Sequence, residues 1–371
     1  MGGKSNGETL SPEIRKIELK NLEFFTQSEI FRQFSFVPIT PSRAKSYLSN
    51  PHGRPNDVVL ILALVDGDLV AFRSIFAGVV QSGSETIRFG WCSGAWVKPG
   101  FRRKGLSKQL LEEALADWEG KLMFSNYAPE AEKLVLSTGR FKPIHQFEGA
   151  RAYLFPKTVK LLPFAQKNKL VKMVFRLIDI FIAGFAKIRG SFFSLKKNPE
   201  IRFEEMEFPD APCYQFLQNK NTTCLFGRDE KEWEWIFRFP WISETNRKLK
   251  NKYPFSACSD SFFYRTVKVL QKNELKGVFI FSVREGHLKT LYSNLTSPLQ
   301  NETALFIKKY CVKHRIELVT VYNTPIARQF FAQKFPFLHV KRMGQKIYSS
   351  FDIQGTEKFQ IQDGDGDSVF T

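Results

Sequence analysis

Residues 86–118 place the tightest constraint on the fold. An apolar strand-like run, 86–97, passes through Lys98-Pro99-Gly100 into the basic stretch Phe101-Arg102-Arg103-Lys104-Gly105, and from there directly into a helix. Leu106, Leu110, Leu111, Ala114, Leu115 and Trp118 fall on one face of that helix. A strand feeding a one-sided helix through a tight turn needs a sheet for the helix to lie on, so the pattern predicts an α/β protein. The turn has chemical consequences as well. The first N–H groups of a helix lack carbonyl partners and sit at the positive end of its dipole. Gly105 removes a side chain that would keep a ligand away from the backbone. Ser107 is small, and Arg102, Arg103 and Lys104 add charge. A diphosphate suits such a turn. Taken alone, the same string serves equally well as an ordinary basic strand-to-helix connection.

The flanks extend the alternation. Residues 14–25 begin as a strand, and Thr40 caps a helix that reaches residue 48. Two apolar runs, 58–65 and 69–80, flank the hairpin signal Asp66-Gly67. A short strand at 121–125, a helix at 129–137 and a pair of strands at 141–147 and 151–155 complete the first unit. The order then repeats with little sequence identity: strands at 262–270, 276–284 and 287–295, a helix at 301–314, a strand at 316–322, a helix at 325–334 and strands within 337–350. A length of 371 residues suits two domains. The expected organisation is a disordered lead (1–13), an N-terminal domain (14–157), a basic amphipathic linker (158–198), a C-terminal domain (199–354) and a polar, acidic, disordered tail (355–371).

The loop and its surroundings resemble the GNAT N-acetyltransferase superfamily. Val97-Lys98-Pro99 precedes Arg102-x-x-Gly105-x-Ser107, and a second family segment follows with Asn126, Pro129-Glu130-Ala131, Leu134, Gly139 and Phe141. The resemblance covers about residues 14–157 and implies two tandem GNAT-like domains of mixed sheets flanked by helices, the second one degenerate. It implies acetyl-CoA, or another acyl-CoA, as cosubstrate and no metal. Ala95, Trp96 and Val97 would pair with the pantetheine amides. Arg102, Arg103, Lys104, Gly105, Leu106 and Ser107 would hold the pyrophosphate, and Asn126 would lie where the next strand splays away after Val97. An amine would attack the thioester directly, without a covalent enzyme intermediate. The resemblance assigns no acceptor; the basic amphipathic linker and the aromatic second half suggest an amino sugar or a cell-envelope precursor.

The chain also departs from the family. Ser107 replaces Gly or Ala, Arg140 is inserted before Phe141, and Val135 stands where the family's Tyr acid falls. No Glu occurs late in 86–97, where Cys92 and Ser93 lie instead; Tyr127 and His145 are the substitutes considered for proton transfer. These absences keep a rival in view, a non-catalytic module that binds acyl-CoA or a membrane surface. The second half lacks the loop signature, since residues 296–302 hold no Gly and no basic cluster. One acyl-CoA site per chain is therefore expected.

A net charge of +18 favours anionic partners, but no basic-aromatic module of a known nucleic-acid-binding kind occurs, so nucleic acid ranks last. Five scattered cysteines with no C-x-x-C spacing fit reduced thiols in the cytoplasm. Residues 170–189 form an amphipathic basic stretch, either a packed linker or a peripheral contact with an anionic membrane at its inner face. The segment Arg228-Asp229, then Trp233, Trp235 and Trp241, is expected to pack as an aromatic core, with an acceptor groove as the alternative. The run Asp363-Gly364-Asp365-Gly366-Asp367 echoes a calcium loop without its terminal Glu, and is expected to be tail.

Overall fold

The computed structural model describes residues 12–126, 129–155, 171, 173–175, 177–181, 184, 188, 199–243 and 252–371. Twelve strands join in one sheet: β1 (Glu13–Glu18), β2 (Val58–Val65), β3 (Asp68–Ser82), β4 (Glu85–Val97), β5 (Leu122–Asn126), β6 (Lys142–Tyr153), β7 (Ile201–Met206), β8 (Phe262–Gln271), β9 (Glu274–Arg284), β10 (His287–Asn294), β11 (Leu318–Val321) and β12 (His339–Ser349). Among the described residues the named helices are α1 (Leu19–Gln27), α2 (Glu29–Gln33), α3 (Pro41–Leu48), α4 (Leu106–Asp117), α5 (Pro129–Leu136), α6 (Ala211–Lys220), α7 (Glu230–Arg238), α8 (Ser297–Lys313) and α9 (Thr324–Ala332).

The sheet order is β1-β2-β3-β4-β5-β12-β6-β11-β10-β9-β8-β7. Each half contributes a run of antiparallel strands closed by one parallel pair, β4 with β5 and β10 with β11. The last strand of each half has changed places: β12 pairs with β5, and β6 pairs with β11 and β12. The pair of strands expected at 141–155 is thus one strand, and its neighbours come from the second half. The strand expected at 14–25 also ends early, and α1 begins at Leu19.

The sheet interior is covered on both faces, as the unbroken apolar run of β2 requires. Leu60, Leu62 and Leu64 face a core shared by both halves, while Ile61 and Ala63 face α4. Leu106, Leu110, Leu111, Ala114 and Leu115 are the buried stripe of α4. Thr40 caps α3 by accepting from the Arg43 N–H at 3.2 Å, with Pro41 in the first turn.

Residues 355–371 are the main departure from expectation. Far from being a loose tail, they pack into the shared core, where Val369 and Phe370 are almost fully buried and Phe370 stacks on Trp241 at 4.6 Å. The polar residues that suggested disorder each meet a partner. The Arg228 guanidinium donates to Asp365 at 2.9 Å and to the Gly364 carbonyl at 3.1 Å. Burial raises the pKa of the Asp365 carboxyl, to about 7, and Arg228 opposes that. With that guanidinium and the Gln362 N–H (2.7 Å) both donating to it, the carboxylate is the form that the geometry serves. Asp363 accepts from the Tyr322 N–H at 2.7 Å and from the Thr290 hydroxyl. The aromatic segment is packing: Trp233 and Trp235 are buried, and Trp235 and Trp241 donate to Ser46 of α3 at 2.7 and 3.0 Å.

A chain of charges joins the two halves. Asp365 pairs with Arg228, Arg228 lies 3.6 Å from Glu232, and Glu232 lies 2.9 Å from His52. Burial of the His52 imidazole works to lower its pKa, but the hydrogen bond and charge of Glu232 raise it and prevail. A folded-state pKa above the ordinary histidine value of 6.5 means that this contact stabilises the fold below about that pH, and that the contribution is lost as pH rises through the folded-state value. Melting temperatures of the wild type across that range should show this fall, and His52→Gln should remove it. An unchanged pH profile in that variant would contradict the assignment.

Candidate active site

β4 and β5 run parallel only through Gly90–Leu122, Trp91–Met123 and Cys92–Phe124. Beyond that point β4 continues to Val97 and β5 to Asn126 without pairing to each other. The strands therefore part five residues earlier on β4 than the resemblance implies. The cause lies in β4 itself. Its pairing with β3 jumps from Cys92–Ile75 to Ala95–Arg73, so Ser93 and Gly94 together oppose Ser74 in a bulge. Gly94 takes φ +134, a conformation that side chains rarely adopt.

A cavity of about 900 Å³ occupies the opening. One wall is Ala95, Trp96 and Val97 of β4, and Arg102, Arg103, Gly105, Leu106 and Ser107 form its mouth. Gly105 has φ +83, and its carbonyl accepts from the N–H groups of Lys108 and Gln109. The amides of Leu106 and Ser107 come before that first helical pair and have no carbonyl one turn back to bond. A Cβ built on Gly105 would meet no atom within 4 Å, so the space beside the turn is open. Lys104 does not line the cavity; its ammonium lies over the Phe101 ring at 5.1 Å. Asn126 ends β5 opposite Lys346, and its side chain is outside the described residues.

Several residues at the site escape a reading of the sequence. Arg73 of β3 is buried with its Nε unpartnered, and it reaches the Ser107 carbonyl at 3.4 Å. The signal was present as one charge inside the apolar run from Leu69 to Phe76. Arg43 of α3 is also buried. It donates to Tyr47, to Tyr253 (2.8 Å), to Ser74 (3.0 Å) and to the hydroxyl and carbonyl of Ser93, and it lies over Trp241 at 4.0 Å. Ser93 in turn donates to Asp367 at 2.8 Å. Asp367, from the segment expected to be loose, thus stands at the cavity beside the β4 bulge. Ser125 also lines the cavity, and its hydroxyl is buried without a hydrogen-bond partner. The Cys92 thiol is pushed up by burial, with Arg73 opposing, as suits an inert small apolar residue rather than a nucleophile.

Of the two residues considered for proton transfer, Tyr127 lies outside the described residues. His145 sits on β6 against the Phe147 ring, its pKa lowered by burial, and it does not line the cavity. Val135 of α5 lines it instead. Among the described residues no group of His, Cys, Asp and Glu is arranged to hold a metal ion.

The second half has the equivalent opening and fills it. β10 and β11 pair only through Lys289–Thr320 and then separate. Residues 362–365 occupy the gap: Gly364 N–H donates to the Leu291 carbonyl at 2.7 Å, and Gln362 accepts from the Ser293 N–H at 3.0 Å. The chain's own backbone stands where a ligand would enter.

Comparison with known proteins agrees with this geometry. Residues 23–127 match the model of the acetyltransferase (GNAT) family. No curated protein matches the sequence. N-myristoyltransferase from Saccharomyces cerevisiae, solved with bound myristoyl-CoA, is 12% identical with a TM-score of 0.53, over 95% of this chain and 86% of that one. A GCN5-related N-acetyltransferase from Anabaena variabilis is 12% identical with a TM-score of 0.49, over 91% of this chain and 72% of that one. The yeast enzyme's similarity covers both halves and establishes the tandem arrangement of the fold. In its N-terminal half, the chain carries an acetyltransferase domain of the GNAT family.

Proposed function

We propose that this chain is an N-acyltransferase that takes an acyl group, acetyl in the first instance, from acyl-CoA and gives it to an amine. The observation that carries the reading is one cavity joining the parting ends of β4 and β5 to the helix start at Gly105. The amides of Leu106 and Ser107, with Arg102 and Arg103, suit a pyrophosphate, and Arg73 adds charge behind them. The unpaired edge at Ala95–Val97 suits the pantetheine arm. The myristoyl-CoA held by the yeast enzyme of like fold supports the same class of donor.

In this mechanism the amine nitrogen attacks the thioester carbonyl carbon. The oxyanion accepts a hydrogen bond from a backbone N–H at the β4 bulge, the C–S bond breaks, and the CoA thiolate leaves and takes a proton from water. The amine's proton goes to Asp367, a carboxylate on the cavity wall next to that bulge. Thiol release from acetyl-CoA against a panel of amines tests the reading, with amino sugars and cell-envelope precursors first. Asp367→Asn should lower kcat by about 10²–10⁴-fold while CoA binding persists. CoA binding without thiol release for any amine would favour the rival, a module that binds acyl-CoA without chemistry; Val135 in the place of the family's Tyr is the observation on its side.

We also place the chain in the cytoplasm, with residues 170–189 as a peripheral membrane contact. Its described positions are helical, and Leu177, Ile180, Phe181 and Ile188 are exposed. Among the described residues no helix is long and apolar enough to cross a membrane. Replacing Phe175 and Phe181 by Ser should weaken sedimentation with anionic liposomes, and undiminished partitioning would remove this contact from the account.

A further inference from the structure

A second cavity, of about 490 Å³, adjoins the first and shares Arg284 and Thr371 with it. Its wall brings together Arg151 of β6, Arg284 of β9, and His287 and Lys289 of β10. These four come from two halves of the chain and three strands, so the exchange of β6 into the second half is what assembles them. Among the described residues no Asp or Glu side chain lines the cavity. Among the described residues none of the four has a carboxylate within ion-pair distance. Their polar contacts are neutral: Arg151 and His287 each meet the Thr320 hydroxyl at 2.9 Å, Lys289 donates to the Ser368 carbonyl at 2.8 Å, and Arg284 donates to the Cys258 carbonyl at 3.2 Å.

We propose that this basic cavity binds an anionic group, a carboxylate or a phosphate, carried by the amine acceptor. The inference rests on the acyl-transfer reading for the word acceptor, and on the cavity itself for the anion. Gathering like charges in a partly buried place is costly unless an anion joins them. The cost is visible in the groups themselves. Lys289 is open to the cavity yet deep enough that burial pulls its pKa down to about 8, with Asp367 and Asp363 opposing and Arg151 and Arg284 assisting. His287 is lowered to about 3 by burial and by the same three neighbouring cations, Arg151, Lys289 and Arg284, so its neutral ring offers a hydrogen bond rather than a charge. Guanidinium groups from two directions suit the forked oxygens of either anion. Because Arg284 lies on both cavities, an acceptor anchored here by its acid end extends toward Asp367 and the thioester with its amine.

The test compares matched pairs on the full chain saturated with CoA, by calorimetry: D-glucosamine 6-phosphate against D-glucosamine, and glycine against glycinamide. At least one charged member should bind about tenfold or more tighter than its neutral counterpart, and Arg151→Gln or Arg284→Gln should abolish the preference. Which pair shows it separates phosphate from carboxylate. A parallel titration of inorganic phosphate into Gly105→Asp protein, whose pyrophosphate turn is blocked, reads the cavity without the donor. Phosphate binding there that is lost on adding Arg151→Gln supports the anion site even if no transfer is ever observed. Acceptors bound without regard to charge, or phosphate binding unchanged by both arginine variants, would overturn the proposal even if neutral amines prove to be acylated.

Discussion

Gly105→Asp should cost the chain its affinity for CoA, by on the order of a hundredfold or more, or about 3 kcal/mol. Two effects combine. The residue has φ +83, so any side chain strains the turn by about 1 kcal/mol. The larger effect is electrostatic: a Cβ there has open space around it, so the carboxylate would stand in the region proposed for the pyrophosphate. Gly105→Ala separates the two, since it carries the strain without the charge and should lose only about tenfold. The folded state should survive in both variants, as no atom lies within 4 Å to be displaced. Calorimetric titration of CoA into each variant provides the check. Wild-type affinity in a folded Gly105→Asp protein would mean that the diphosphate lies elsewhere.

Arg228→Ala should destabilise the fold by about 3–5 kcal/mol, because it leaves the Asp365 carboxylate buried without its guanidinium. The loss should reach the site. Asp365 and Phe370 hold the segment that presents Asp367, so the variant should also lose transfer activity and become open to proteolysis after residue 354. Urea denaturation followed by tryptophan fluorescence suits the measurement, since Trp233 lies under Arg228 at 5.1 Å. A change below about 1 kcal/mol would show that the pair contributes little and that the segment is held by its aromatic contacts alone.

What the sequence disclosed, and what it withheld, follows from the range of the interactions involved. The strand, turn and helix from residue 86 to 118 are set by local periodicity and by one glycine, and both are legible in a linear string. The apolar stripe of α4 is the one expected from spacing. The exchange of β6 and β12 is a matter of which strand edges meet, and no residue in either strand announces its neighbour. The segment 355–371 looks like a solvated tail in the linear sequence because nothing there shows the partners of Asp363, Asp365 and Gln362. Those partners, Arg228, Thr290 and the amides of Ser293 and Tyr322, lie 41 or more residues away along the chain. Asp367 is hidden for the same reason, while His145 stands out in a sequence because histidine is a common proton carrier, yet it does not line the cavity. Arg73 and Arg43 could have been noticed: a lone charge in an apolar strand or on a buried helix face needs an explanation, and here both lie at the cavity.

The division of labour between the halves also takes a physical form. Both contain a parallel strand pair that separates; the first separation opens onto the larger cavity, and the second is crossed by residues 362–365. In the second half the chain inserts its own residues 362–365, which accounts for the missing glycine-rich basic turn after β10 without any appeal to decay. That insertion also carries Asp367 to the first half's cavity. One opening was closed in a way that furnished the other.

Amide hydrogen exchange with and without CoA addresses the central claim most directly, because it reads the backbone groups said to do the binding. The account predicts that CoA slows exchange at residues 103–108 and at 95–97, and that pantetheine, which lacks the diphosphate, slows it only at 95–97. Exchange at 103–108 that is unaffected by CoA under saturating conditions would contradict it.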